Sequence, residues 1–515
     1  MTNKIFYFLS LIIVLFIIIY TQILQASYDV INHDDLSVMF KFTENFFENY
    51  VVNAYHGRFI TNIFATLTCS VLPLSLDLHP NYWMQTFGAG IKAIFIFIIC
   101  HLLSTSLFLF DKTVNKYKKF LIPVFILLFY FLYQDRFNGH FQSFLYMSFY
   151  GFTFPFIIFF FFWKKFIKYF CCDNDEVFVD RNYKRIIFFC LLSFLVGCSS
   201  EFFWFSSFGT FTLLLIYLIG NKHKNILIYI CMYASLIVGL LMYVLNLGFQ
   251  GSAYGKKYPS YISLAEFKAW IMEVFNDLSA AFFSDFIYII IAIIILFIIL
   301  FFVKIENKNK KTLILFYFIL SVLFFYLSMS NVRSNWPEQG FLYIIHFDII
   351  TQVQIAFIFV ITLQISFLSE YKYLKNILIF TLFICMLYLT KQNLVDTCNL
   401  IVKNDKNNYV AKYCNNPLDD VLKKYKCEYI LLEYIKDGKI IYYNVNSDLR
   451  PYEHLSFDYI TTTYNINYEI NQQKLNIATV EQLYETFLNE GGEPLSQEEL
   501  DAHDFNVLLH RYRKK

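Results

Sequence analysis

The chain has 515 residues, 57% hydrophobic and 21% aromatic, with 42 Lys and Arg against 40 Asp and Glu for a formal net charge of +2. That near-neutral balance excludes bulk electrostatic attraction to nucleic acid, and a mean hydropathy of +0.48 excludes an ordinary soluble globule. The composition implies an all-α polytopic membrane protein. Phe, Ile, Tyr, Asn and Lys prevail over Ala, Gly, Arg and Pro, a bias of the kind AT-rich coding produces, so aromatic abundance alone marks no sugar or nucleotide platform.

Residues 5–24 form the first predicted span, about 20 apolar or uncharged residues behind Lys4. No small-residue cleavage site follows in "TQILQASYD", so the span is read as retained. Basic clusters punctuate the later apolar runs: Lys112, Lys116, Lys118 and Lys119; Lys164, Lys165, Lys168, Arg181, Lys184 and Arg185; Lys222 and Lys224; Lys304, Lys308, Lys310 and Lys311; Lys372 and Lys375. The positive-inside rule assigns them to the cytoplasmic side. With Lys4 also inside, they share that side only if residues 25–92 form one large outer loop.

The predicted spans are then 5–24, 93–110, 120–133, 146–163, 186–200, 205–220, 225–246, 286–303, 312–329, 344–368 and 377–392, about eleven in all. Residues 59–78, "FITNIFATLTCSVLPLSLDL", are long enough to span. Asn62, Thr66, Thr68, Pro73 and Asp77 suit an interfacial helix better, and a span there would invert every later loop. Residues 1–392 thus form a membrane domain, and residues 393–515 a small α+β C-terminal domain on the outer face. In that domain "YILLEYIKDGKIIYYNV" predicts a hairpin turning at Asp437-Gly438, and Ser496 with Glu499 predicts a capped terminal helix. Eleven cysteines show no CxxC and no metal-ligand spacing; among Cys398, Cys414 and Cys427 one disulfide is an option on an oxidising face.

Candidate chemistry gathers at the outer ends of the spans. "INHDDLSVMF" places His33, Asp34 and Asp35 just beyond the first span. A carboxylate at the membrane boundary loses solvation and is pushed toward the basic range, and an adjacent carboxylate pushes the same way, so Asp34 or Asp35 suits a general base. The simpler alternative is a helix cap for "LSVMFKFTENFFENY". Arg58 in "NAYHGRFITN" suits bidentate phosphate binding, or snorkelling to headgroups.

The next outer loop, "YQDRFNGHFQS", carries Asp135, Arg136 and His140, and the hairpin "GCSSEFFW" carries Glu201. Acids at the ends of three hairpins, with arginines beside two, point to one outer cavity. Lys256 and Lys257 in "SAYGKKYPSY" and Arg333 in "NVRSNWPEQG" could neutralise a phosphate leaving group, and Trp336 could stack on a sugar face. All four also suit plain interfacial anchoring. Within the spans, His101 and His346 are functional candidates, equally suited to a helix–helix hydrogen bond.

A first span, a large outer loop opening on an acidic motif, interfacial helices, many further spans and an outer C-terminal domain resemble the GT-C superfamily of membrane glycosyltransferases. "HDD" stands where that motif is found, and "HGRFITN" resembles the Gly-Arg opening of related bacterial families, including O-antigen glucosyltransferases. The motif likeness is confined to residues 29–62.

The resemblance implies a polyprenyl-phosphate-linked sugar donor, a glycan or lipid acceptor, membrane lipids as surroundings, no nucleic acid, and a bacterial inner membrane location with a cytoplasmic N-terminus. It implies Asp34 or Asp35 as the base and Asp135 as the second-loop acid, which in some relatives helps bind a divalent metal. "HDD" departs from the Asp-Glu pair of several branches, which leaves no cofactor certain. A polysaccharide ligase or polymerase shares these features. A lipid-linked glycan transporter would instead place its acids near the midplane, often with repeat symmetry.

Overall fold

The computed structural model describes residues 2–26, 60, 63–64, 84–111, 116–137, 154–172, 183–199, 201–220, 226–246, 272, 287–303, 319–321, 350–403, 429–436, 439–444 and 475–479. Ten long helices stand among them: α1 (Thr2–Ala26), α2 (Ala89–Ser106), α3 (Lys116–Phe137), α4 (Phe154–Cys172), α5 (Tyr183–Gly197), α6 (Glu201–Gly220), α7 (Ile226–Val244), α8 (Ile287–Phe302), α9 (Ile350–Phe367) and α10 (Lys372–Lys403). A π-helical turn, Met84–Gly88, leads into α2. Lys4–Ala26, Thr86–Ser106, Ile226–Val244 and Lys372–Lys403 are long and apolar enough to cross a membrane, and Ser206–Gly220 and Ile355–Glu370 are shorter apolar helices. These helices are compatible with a membrane protein. Their outward faces stay apolar: Phe6, Phe8, Ile13 and Phe16 of α1 and Ile377 and Phe380 of α10 are all exposed, where a water-facing helix would carry charge.

The predicted 59–78 helix, His346, Cys414, Cys427, Ser496 and Glu499 lie outside the described residues, apart from short pieces at 60 and 63–64. Cys398 is a free, exposed thiol.

Contacts between helices fix their relative directions. Gln22, late in α1, donates to the Tyr130 hydroxyl, late in α3, at 3.1 Å, so the two run parallel. Asn393 in the second half of α10 donates to the Phe131 carbonyl at 3.1 Å. At the other end of the same pair, Lys375 reaches Asp111 at 3.3 Å, so α10 also runs parallel to α3. The end of α9 meets the residues just before α3, with the Phe110 amide donating to Ser366 Oγ at 3.1 Å and the Phe110 and Phe367 rings stacked at 4.6 Å. α4 runs with α2, since Phe154 lies 5.6 Å from Phe95 and Lys164 Nζ donates to the Leu102 carbonyl at 3.0 Å. α6 runs with α4 through Phe203 on Phe156 at 5.0 Å and Phe211 on Phe166 at 5.5 Å.

One arrangement satisfies all of these. α1, α3, α5, α7 and α10 leave a basic end, and α2, α4, α6 and α9 return to it. Lys4, Lys118, Lys119, Lys164, Lys165, Lys168, Lys184, Arg185, Lys372 and Lys375 stand toward that end. The described basic residues of the other half are Lys92, Arg136, Lys391 and Lys403. At the basic end Asp111 is ion-paired with both Lys118 and Lys375. Lys164 extends to the last turn of α2, where it meets the Leu102 carbonyl and the Thr105 hydroxyl, so its charge faces the negative pole of that helix.

Aromatic side chains fill the interior. Phe160 of α4 stacks on Phe359 of α9 at 4.4 Å, and Trp163 lies 5.6 Å from Phe211 and donates to Ser207 Oγ at 3.4 Å. Such ring pairs contribute about 0.5–1.5 kcal/mol each beyond area burial. The crossing of α5 and α7 instead depends on the absence of side chains. A Cβ placed on Gly197 would sit 2.4 Å from the Leu236 carbonyl oxygen, and one on Gly239 would sit 2.4 Å from the Phe194 carbonyl oxygen. Glycine lets the two backbones close to direct contact, where dispersion replaces the missing hydrophobic drive.

A small sheet follows the helices. β1 (Tyr429–Lys436) pairs antiparallel with β2 (Lys439–Asn444), with Lys436 opposite Lys439, and pairs parallel with β3 (Leu475–Thr479), giving the order β2-β1-β3. Asp437 and Gly438 connect β1 to β2, as the hairpin signal predicts.

Gly239→Ala is expected to lower the thermal midpoint in detergent, by an overpacking penalty of about 1–3 kcal/mol. Gly90→Ala, at a site with nothing within 4 Å of the added Cβ, is the control and is expected to melt like the wild type. Equal melting of Gly239→Ala and wild type would refute the close crossing.

Candidate functional site at the end opposite the lysines

The end away from the basic cluster carries the described part of the predicted site. Asp135 and Arg136 fall in the last turn of α3, and Glu201 is the first residue of α6. α1 ends there at Ala26, eight residues before Asp34. Eight residues reach at most about 28 Å, which bounds how far Asp34 lies from the end of α1. His33, Asp34, Asp35, Arg58, His140, Lys256, Lys257, Arg333 and Trp336 lie outside the described residues. The three candidates with a described backbone therefore share one end of the bundle.

Each reaches that end for a local reason. In α3 the apolar run "FLIPVFILLFYFLY" stops at Gln134, and the charged pair follows directly in the last turn of the helix. Glu201 opens α6 after the turn at Cys198 and Ser199, where Cys198 N–H closes on the Phe194 carbonyl at 3.1 Å and Ser199 Oγ donates to the Val196 carbonyl at 2.9 Å. A carboxylate at a helix start is favoured by the helix dipole. The Gly197–Gly239 contact lies one turn before Glu201 and holds this hairpin against α7.

Beneath this end lies a buried polar cluster that the sequence reading did not single out. Gln22 Nε2 donates to Gln25 Oε1 at 2.8 Å and to Tyr130 Oη at 3.1 Å, and Thr21 Oγ1 donates to the Ile17 carbonyl at 2.7 Å. Asn393 gives its Nδ2 to Phe131, while its Oδ1 has no hydrogen-bond partner. All five side chains are buried. The signal available in the sequence was two glutamines one helical turn apart at the end of an otherwise apolar span. In an apolar surrounding, uncharged amides and hydroxyls are stable only when hydrogen-bonded, and the two bonds that cross between helices, Gln22 to Tyr130 and Asn393 to Phe131, tie α3 to α1 and to α10.

His101 packs its ring on Phe97 at 6.1 Å, toward the lysine-rich half rather than at the candidate site. Among the described residues no group of three or more His, Cys, Asp and Glu is placed to hold a metal ion.

No protein-family model, no curated protein and no solved structure matches the chain. The functional reading therefore rests on the residues themselves.

Tyr130→Phe is expected to lower the thermal midpoint, because the buried Gln22 amide loses an acceptor, at a cost of about 0.6–1.7 kcal/mol. A double-mutant cycle with Gln22→Leu checks the assignment. Coupling between the two substitutions is expected, and strict additivity would mean that the pair does not interact.

Proposed function

We propose that the protein is a GT-C-like membrane glycosyltransferase that moves a sugar from a polyprenyl-phosphate donor to a surface glycan or lipid-linked acceptor. The observation that carries the reading is the shared placement of Asp135, Arg136 and Glu201 at the end of the bundle where α1 terminates at Ala26. In this reading about eleven spans cross the bacterial inner membrane, and the lysine-rich end is cytoplasmic. The predicted boundary at residue 393 falls inside α10, and the outer α+β domain of this reading follows that helix, with the β2-β1-β3 sheet as support.

The chemistry follows from the residue types. Asp34 or Asp35 takes the proton of the acceptor hydroxyl as its oxygen attacks the anomeric carbon from the face opposite the phosphate. The bond from that carbon to the phosphate oxygen breaks, its electron pair leaves with the polyprenyl phosphate, and the anomeric centre inverts. Arg58, Arg136, Lys256, Lys257 and Arg333 are the cations available to stabilise the departing charge. Asp135 and Glu201 orient the acceptor, and Trp336 offers a ring to the sugar face.

The test compares surface glycans by mass spectrometry from cells carrying wild type, Asp34→Asn, Asp35→Asn or a deletion, with membrane levels of each protein measured. One of the two variants is expected to reproduce the deletion's missing sugar at normal protein level. Wild-type glycans from both variants would reduce "NHDDL" to a helix cap and overturn the assignment.

A further inference from the structure

The corner where the turn after α2 meets the starts of α3 and α10 holds more positive charge than its own carboxylates neutralise. Asp111 stands between Lys118 and Lys375, and both ammonium groups also lie over the Phe108 ring, at 5.8 and 5.6 Å. Lys118 precedes the apolar stretch that begins at Phe120. Its amine is pushed down to about 8 by burial and by the like charges of Lys375 and Lys372. Among the described residues, Lys116, Lys118, Lys119, Lys372 and Lys375 stand against Asp111 and Glu370, five cations to two anions.

Lys375 is 3% exposed, and its ammonium has three donors. One is used by Asp111 at 3.3 Å, and the Phe108 ring offers only its face. A buried ammonium is stabilised by further oxygen acceptors, and the uncompensated charge favours acceptors that are anionic.

The surface around this corner has the profile of a headgroup boundary. Tyr373, one residue from Lys372, is 88% exposed, as an aromatic residue at a lipid–water interface is. Immediately beyond it the outward face turns apolar, with Phe120 of α3 and Ile377 and Phe380 of α10 exposed. These lie at one level of the bundle, because Phe125 of α3 meets Phe383 of α10 at 6.0 Å and the two helices run parallel. Cations at the rim and an apolar wall beside them complement a molecule with an anionic head and hydrocarbon tails.

We propose that this corner binds an anionic phospholipid of the leaflet at the basic end, its phosphate held by Lys372 and Lys118, with the buried Lys375 adding to the local positive potential, and its acyl chains lying along Phe120, Ile377 and Phe380. The site is independent of the glycosyl-transfer reading and lies at the opposite end of the bundle. Its phosphate brings negative charge to the lysine-rich junction of α3 and α10, so the bound lipid strengthens that junction.

The experiment uses the full-length protein in nanodiscs of phosphatidylcholine, alone or doped with phosphatidylglycerol, with bound lipid counted by native mass spectrometry and thermal midpoints recorded. Phosphatidylglycerol is expected to bind preferentially and to raise the midpoint. Removing one basic residue is worth about 1 kcal/mol, so Lys372→Gln is expected to weaken phosphatidylglycerol about fivefold and leave phosphatidylcholine unchanged. Lys372→Arg is expected to retain the preference. Because Lys372 is exposed, both variants are expected to melt like the wild type in pure phosphatidylcholine. Equal binding of the two lipids, or unchanged binding by Lys372→Gln, would overturn the proposal. Equal stabilisation by inorganic phosphate in phosphatidylcholine nanodiscs would also overturn it, by showing a soluble-anion site.

Discussion

A lysine ammonium is stable only where water, a headgroup, a carboxylate or an array of carbonyl dipoles meets it, and the order of this helical bundle follows from how that requirement is met. α1, α3, α5 and α10 each begin on lysines or on a Lys-Arg pair, and each begins at the same end. α4 keeps its lysines in its second half and runs the other way, so Lys164 meets the end of α2. Asp111 then joins two helix starts that would otherwise repel, since Lys118 and Lys375 are like charges and each stands at the positive pole of its own helix. The opposite end is thereby left for the acidic and amide groups.

The bundle uses different devices at its two ends and between them. Ion pairing joins α3 to α10 at the basic end, through Asp111. Uncharged amides and hydroxyls join α1, α3 and α10 deeper in, where an ion would be far more expensive to desolvate. Bare backbone contact joins α5 to α7, and aromatic stacking joins α4 to α6 and α9. The candidate site sits above the amide cluster and the glycine crossing. Both are close contacts between helices, of the kind that hold side chains in place.

Much of the helical layout was legible in the sequence, and its misplacements have physical causes. The apolar runs at 286–303 and 205–220 match α8 and α6 within a few residues, because uninterrupted Ile, Leu and Phe report a helix directly. The run at 146–163 differs from α4, Phe154–Cys172, because hydropathy stops at the first lysine whereas the helix continues through Lys164, Lys165 and Lys168. The same effect shortened 377–392 relative to α10, whose start is lysine-rich and whose end carries Asn393, Asp396 and Asn399. The helix-end positions of Asp135, Arg136 and Glu201 were legible because a charge at the edge of an apolar run is conspicuous. The Gln22–Tyr130–Asn393 cluster was not, since its partners are brought together across 108 and 262 positions of chain, and one of them is a main-chain carbonyl.

The length of α10 sets a height. Its 32 residues rise about 48 Å at 1.5 Å each, whereas a bilayer's hydrocarbon core is about 30 Å thick. Were Lys372 and Lys375 at one boundary, an upright helix would reach the far boundary near Asp396 with about two turns still to run. On that placement the end of α10 would stand about 10 Å clear of the apolar layer. That standoff is comparable to the depth of a headgroup region, and it is fixed by helical rise rather than by a tether.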